Sequence, residues 1–221
     1  MLKTSFLTKH KEQILFYTMA IIGGFYGGFA ISNFDVLGSA ETTNMIRLVI
    51  SFLGKDYYQS LLCFIAAIIY LAATALSKLA NDYIPKYIHI ISIFVDFLVT
   101  LWLCFAPRSI NYILVLYPMF FACAFQWNAF PGAKGYVSSS IFSTNNYRQM
   151  IFGFTEYFED REKNKKSLEK GRFFLGTLFW FHFGVAIAFL SENAFGNYGA
   201  LTNLIFVAIA TILASNGDGS N

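Results

Sequence analysis

The chain has 221 residues, of which 56% are hydrophobic, 19% aromatic and only 13% charged, with a mean hydropathy of +0.52 and a net charge of +3. Soluble domains carry about 25% charged residues, so this composition excludes an ordinary water-soluble domain and points to a surface that meets lipid. The small positive charge is no nucleic-acid signature, because the basic residues stand beside apolar runs, where they act as topology signals.

The opening, MLKTSFLTKHKEQ, is basic and leads into an apolar run. That run continues for ~19 residues without a small-residue cleavage site, so it reads as a first membrane helix with a cytoplasmic basic end rather than a leader. In chain order the apolar runs are 14–33, 59–79, 87–106, 111–130, 172–190 and 198–214. Each holds about 17–21 residues, enough to cross the hydrocarbon core. Two shorter segments, 42–53 and 140–154, reach only about 18–22 Å as helices at 1.5 Å per residue. Re-entrant or broken helices suit them better than full crossings. The fold class expected is therefore an all-α polytopic membrane protein, with six transmembrane helices plus two short re-entrant or broken helices.

The chain also echoes itself. FYTMAIIGGFYGGFA at Phe16 lines up with LYPMFFACAFQWNAF at Leu116, placing Tyr17 and Met19 opposite Tyr117 and Met119. Further on, TTNMIR matches STNNYR, so Thr43, Asn44 and Arg47 align with Thr144, Asn145 and Arg148. The order of these matches predicts two repeats, 14–106 and 111–214, within a single membrane domain spanning 1–221. If the short segments turn back, three spans per half make the repeats inverted. If they cross, there are eight spans and the repeats are parallel. Counting Lys and Arg does not separate the two layouts, since both keep most of them on the cytoplasmic side, as the positive-inside rule requires. Lys55 and Arg108 lie outside in the first layout. In both, the N-terminus, the C-terminus and the charged segment 155–172 are cytoplasmic. That segment, with six basic and five acidic residues, reads as a solvated amphipathic helix or loop.

Few residues in such a chain carry chemistry. On a helix, Asn44, Arg47 and Ser51 form one polar stripe, and Asn145 and Arg148 repeat the first spacing. Thr and Ser at the front of each segment are good N-caps and leave free N–H groups at a positive helix end. Transporters build central sites from such interrupted helices. Thr43, Asn44, Arg47, Thr144, Asn145 and Arg148 are therefore candidate substrate-binding residues, suited to an anion, with Asn128 and Gln126 near the same path. The competing reading is that the arginines reach for headgroups and that the Thr and Asn side chains bond neighbouring helices. Asp96 is the one acid near the middle of a long run, and an isolated charge there costs several kcal/mol. It is expected either to carry a proton or cation or to offset Arg47 or Arg148, or else to be a structural ion pair or a protonated acid bonding a neighbouring helix. Mid-run His182 reads as a packed residue. Gly23, Gly24, Gly27 and Gly28 read chiefly as close helix packing. Cys63, Cys104 and Cys123 have no metal-ligand spacing, and neither a nucleotide loop nor a nucleophile–base pair stands out. No enzyme activity, cofactor or metal is expected.

The glycine-rich first run and the two short motifs resemble the YoaK-like family of uncharacterised bacterial membrane proteins, a domain of unknown function. The residues are Thr42-Thr43-Asn44 where that family commonly reads Thr-Gly-Asn, Ser143-Thr144-Asn145 where it reads Thr-Gly-Thr, and Asn128-Ala129 in between. The resemblance implies six crossings, hence the inverted arrangement, in a bacterial cytoplasmic membrane, and it brings no substrate. The function expected from the residues is a small-solute or ion transporter or channel with a site between two half-helices. The alternative is a membrane scaffold or sensor acting through 155–172. The partners implied are the lipid bilayer and a small molecule or ion, and a homo-oligomer is compatible with both readings.

Overall fold

The computed structural model describes residues 2–36, 41–107, 109–160 and 164–215, with side chains from His10 onward. Arg108, positions 161–163 of the charged segment and the tail after Ser215 lie outside the described residues, as do the side chains of Lys3 and Lys9.

Among the described residues, eight α-helices follow in order: α1 (Leu2–Phe34), α2 (Glu41–Leu53), α3 (Tyr57–Tyr83), α4 (Ile88–Phe105), α5 (Tyr112–Ala129), α6 (Thr144–Glu159), α7 (Lys165–Phe195) and α8 (Asn203–Ser215). Two-residue strands β1 (Gly132–Ala133) and β2 (Tyr136–Val137) form an antiparallel hairpin between α5 and α6. Local chemistry fixes the starts. The Asp56 side chain accepts from the Gln59 N–H at the head of α3, Asn111 accepts from Ile113 at α5, and Asn164 accepts from Lys166 at α7, at 2.9–3.0 Å. Each is an N-cap satisfying a donor that the helix itself leaves open.

Among the described residues, five helical segments are long and apolar enough to cross a membrane: His10–Phe34, Tyr57–Tyr83, Pro85–Phe105, Tyr112–Ala129 and Lys165–Ser215. The last joins α7 to α8 through a 3-10 turn, Gly196–Thr202. The apolar run expected at 198–214 is thus divided between that turn and a 13-residue helix. Gly196, at φ 58°, ends α7. Gly199 then brings the backbone onto the end of α7, where an added Cβ would stand 2.5 Å from the Ser191 carbonyl oxygen.

The interior is built by α1 and α5. Phe16, Met19, Ile22, Phe25, Tyr26 and Phe29 on α1 are buried, as are Ile113, Leu116, Met119 and Phe120 on α5. The other long helices turn large apolar side chains outward, among them Phe64 and Leu71 on α3, Phe94 and Phe97 on α4, and Phe179 on α7. That is the reverse of a water-soluble arrangement and fits a lipid-facing surface.

Between such helices lipid leaves little hydrophobic drive, and close backbone approach takes over. α1 packs along α7 and against α8, whereas α5 packs along α3 and against α4. At the α1–α7 crossing, a Cβ on Gly24 would lie 1.9 Å from the Phe181 carbonyl oxygen, and one on Gly184 would lie 2.1 Å from that of Ile21. Only glycine permits this approach. Gly27, by contrast, has Phe181's ring at ordinary contact distance.

Candidate functional site

The two short helices determine where polar groups can gather. α2 folds back on α3 through a tight turn at Gly54–Asp56, closed by hydrogen bonds from the Gly54, Lys55 and Asp56 N–H groups to Ile50, Phe52 and Ser51. Phe52 at its end meets Tyr57 at the start of α3, with ring centroids 6.1 Å apart. Thirteen residues at 1.5 Å each then carry α2 back about 20 Å. Packed back along α3, that length sets Glu41 level with the middle of the 27-residue α3.

α6 repeats the pattern on α7. Its end pairs Glu156 with Lys170 at 3.3 Å. At its start Tyr147 lies beside His182, deep in α7, with ring centroids 6.0 Å apart. The segment leading into α6 packs on the middle of α1, where a Cβ on Gly23 would stand 2.3 Å from the Ser140 carbonyl oxygen. Both helices therefore begin level with the middles of long apolar helices. They pack on α3 and on α7, not substantially on each other. Most of the charged segment 155–172 is likewise helical, forming the end of α6 and the start of α7.

The sequence-predicted residues divide between these two places. At α2, Asn44 is 2% exposed and its amide nitrogen lies 3.4 Å from Glu41 Oε2. Glu41 Oε1 is buried without a hydrogen-bond partner among the described residues. Arg47, half-buried, donates to the Tyr112 hydroxyl at 2.9 Å. Gln59 reaches the same hydroxyl at 3.3 Å, and Phe34 stacks on the Tyr112 ring. Thr43 is half-buried in the same turn.

At α6 the sequence alignment points one residue off. Asn145 is exposed, and Asn146 is the buried asparagine, at 1%. Its amide donates to the carbonyls of Ser139 at 2.7 Å and Phe142 at 2.9 Å, and its oxygen accepts from the Ser138 hydroxyl at 2.9 Å. Asn146 thereby satisfies the backbone of the turn that starts α6, as a buried polar turn requires. Thr144 and Arg148 are exposed, Arg148 with its guanidinium 5.1 Å above the Phe152 ring. Asn128, also exposed, donates to the Ala124 carbonyl of its own helix at 2.8 Å. His182 does join a contact with Tyr147, but its Nδ1 lies 2.7 Å from its own helix carbonyl, that of Leu178.

A third group sits where α1, α4 and α8 meet. Asp96 has no exposed surface, and neither carboxylate oxygen has a partner among the described residues. Arg47 and Arg148 are engaged elsewhere, so the expected counter-charge pairing does not form. Tyr26 donates to the Asp96 backbone carbonyl at 2.9 Å, and Asn203 donates to the Thr100 hydroxyl at 3.0 Å. Asn203 Oδ1 and the Ser92 hydroxyl, one turn before Asp96, are also buried without partners among the described residues. Nearby, Gln126 bridges the Met19 carbonyl and the Ser140 hydroxyl at 2.9 and 2.8 Å. Tyr26, Thr100 and Asn203 were not singled out from the sequence. A polar residue inside an apolar run was their only signal. Among the described residues, no group of three or more His, Cys, Asp or Glu side chains is placed to hold a metal.

Comparison with known families is decided by nearly the whole chain at once. Residues 15–214 match a family described as "Protein of unknown function (DUF1275)". The chain belongs to the DUF1275 family. Its members are known as membrane proteins, which agrees with the five long apolar segments. The match runs from within α1 to within α8, so the polar starts of α2 and α6 and the buried Asp96 all lie inside the DUF1275 region. Neither the curated proteins nor the solved structures gave a match.

Proposed function

We propose that the protein is a small-solute or ion transporter or channel, acting on an anionic substrate at the start of α2. The observation that carries this reading is Asn44 and Arg47 gathered at a half-length helix beginning level with the middle of α3, where binding an anion requires the neighbouring Glu41 carboxyl to be protonated. A helix start there leaves N–H groups and a positive dipole end without water to satisfy them. Arg47 adds a fixed cation, held by a neutral hydroxyl rather than by an acid. Asn44 and Thr43 line the same turn. Asp96 serves as the coupling group, since an unpartnered carboxyl in lipid is costly to keep without a use.

The architecture proposed is two inverted repeats, 14–106 and 111–214, with six crossings once α8 and its preceding turn count as one. About 20 Å of α-helix follows about 14 Å of 3-10 turn, together enough to span the ~30 Å hydrocarbon core. Matched bonds support the repeat: Tyr17 donates to the Phe173 carbonyl at 3.0 Å, and Tyr117 donates to that of Leu62 at 2.9 Å. The packing partners exchange in the same way, α1 with α7 and α5 with α3. On this proposal, which the YoaK-like resemblance supports, the protein sits in a bacterial cytoplasmic membrane with both termini and 155–172 inside.

Efflux of chloride, nitrate, acetate or lactate from protein-containing liposomes tests the reading. At least one anion should leave faster than from empty liposomes, and Arg47→Gln should slow it about tenfold or more, the scale of one charge-assisted contact. Equal efflux by folded Arg47→Gln protein contradicts the site. No efflux of any anion, joined to loss of cellular activity on deleting 155–172, favours the scaffold alternative.

A further inference from the structure

A second polar pocket lies apart from the α2 site, at the end of the molecule where α1, the β-hairpin and α7 come together. It encloses about 510 Å³ and is lined by His10, Gln13, Lys134, Tyr136, Glu169 and Arg172, with Phe173 at its floor. His10 opens the apolar segment of α1, and Arg172 immediately precedes the buried pair Phe173 and Phe174 on α7. The pocket therefore sits at the depth where apolar helices give way to polar surroundings.

The hairpin holds one wall in place. Lys134 occupies its tip in the left-handed region, at φ 55°, followed by Gly135 at φ 78°. Gly132 has φ 146°, and a Cβ there would fall 1.9 Å from the Tyr136 carbonyl oxygen. This turn is built for its shape rather than for general flexibility. Tyr136 anchors it. Its ring lies 5.3 Å from that of Phe173 and 6.1 Å from that of Phe174, and its hydroxyl donates to the Lys166 carbonyl at 3.4 Å. Burial, and then the Glu169 carboxylate, push the Tyr136 pKa up, so it stays a donor. The hairpin thus carries Lys134 to the pocket that Arg172 lines from α7. Neither cation has a hydrogen-bond or ion-pair partner among the described residues.

We propose that this pocket binds a phosphate group, with Lys134 and Arg172 as its two cationic contacts. Arginine pairs phosphate through two parallel N–H donors, and lysine supplies a point charge. Gln13 lies on the same wall, although its amide already donates to the Tyr17 hydroxyl at 2.7 Å. Glu169 opposes a bare dianion, which favours a phosphate diester or an amine-bearing phosphate whose ammonium meets the carboxylate. A phospholipid headgroup has that chemistry and is present at that depth. A soluble phosphate compound shares the chemistry, and the experiment separates the two sources.

The test uses full-length protein in a phosphate-free detergent, with thermal unfolding and native mass spectrometry as readouts. The probes are phosphatidylglycerol, diacylglycerol with the same acyl chains, and inorganic phosphate. Phosphatidylglycerol is expected to stay bound and raise the melting temperature, and diacylglycerol is not. In a Lys134→Gly/Arg172→Gln variant the affinity should fall about tenfold or more, given the strength of charge-assisted hydrogen bonds. Glycine at 134 keeps the left-handed turn, so loss of the cation is separated from loss of the hairpin. Glu169→Gln should bind phosphatidylglycerol at least as well as the unaltered protein. If inorganic phosphate alone reproduces the stabilisation, the ligand is a soluble phosphate compound. If only the lipid does so, the ligand is a headgroup. Equal retention by the double variant, or equal binding of diacylglycerol, overturns the proposal.

Discussion

The starts of α2 and α6 share a sequence pattern and differ in what their polar groups are doing. At α6 the buried asparagine is fully occupied, holding the Ser138–Phe142 turn through its own amide. At α2, among the described residues, the buried asparagine makes one long contact to Glu41, whose other carboxylate oxygen has no partner. Arg47 points into the protein at Tyr112, whereas Arg148 is exposed above Phe152. Two starts with a similar sequence pattern thus engage their buried asparagines differently, and the proposed ligand role belongs to the α2 start. The buried asparagine of the α6 start holds its own turn, and the proposed site lies at the α2 start.

Substitutions can break this contrast. The largest effect on stability is expected from Asn146→Ala, which strands several buried donors and acceptors of the turn at once. Roughly 2–4 kcal/mol should be lost, read as a lower melting temperature in detergent, whereas Asn44→Ala should cost about 1 kcal/mol. Equal losses would mean that the two starts are equivalent after all. Gly23→Ala comes next. The new methyl would press on the Ser140 backbone, at a cost of about 1–3 kcal/mol, and proteolysis should show the 138–143 turn loosened while α2 stays protected. Smallest in stability is the arginine pair. Arg148→Ala should change stability by no more than about 0.5 kcal/mol and leave anion efflux unchanged, whereas Arg47→Ala should suppress efflux. Suppression by both would restore a site shared between the two helices.

Much of the fold was legible in the residues, because long apolar runs bounded by charged, glycine and proline residues leave little choice in lipid. The run 59–79 became α3 at Tyr57–Tyr83, and 42–53 became α2 at Glu41–Leu53. The run 198–214 was less certain in outcome, since Gly196 and Gly199 shortened its helix in favour of a 3-10 turn. The pattern of apolar runs does not reveal the β-hairpin, although Gly132 and Gly135 around Ala133 and Lys134 are ordinary turn signals. Asp96 was legible because a lone acid in an apolar run has few innocent explanations. Its surroundings were not, since the meeting of Tyr26, Thr100 and Asn203 depends on how α1, α4 and α8 cross. The choice of Asn145 over Asn146 came from matching Arg148 to Arg47. Burial follows instead from which asparagine faces the serine-rich turn, and a one-residue step on a helix turns a side chain by about 100°.

The central claim is that α2 and α6 enter the membrane and return to the same side. In a variant without Cys63, Cys104 and Cys123, a membrane-impermeant maleimide can be applied to single cysteines at Asp35 and Lys55, which flank α2, and at Lys134 and Lys166, which flank α6. Asp35 and Lys55 should label from one face, and Lys134 and Lys166 from the opposite face. Labelling of Asp35 and Lys55 from different faces would show that α2 crosses, and would contradict the account.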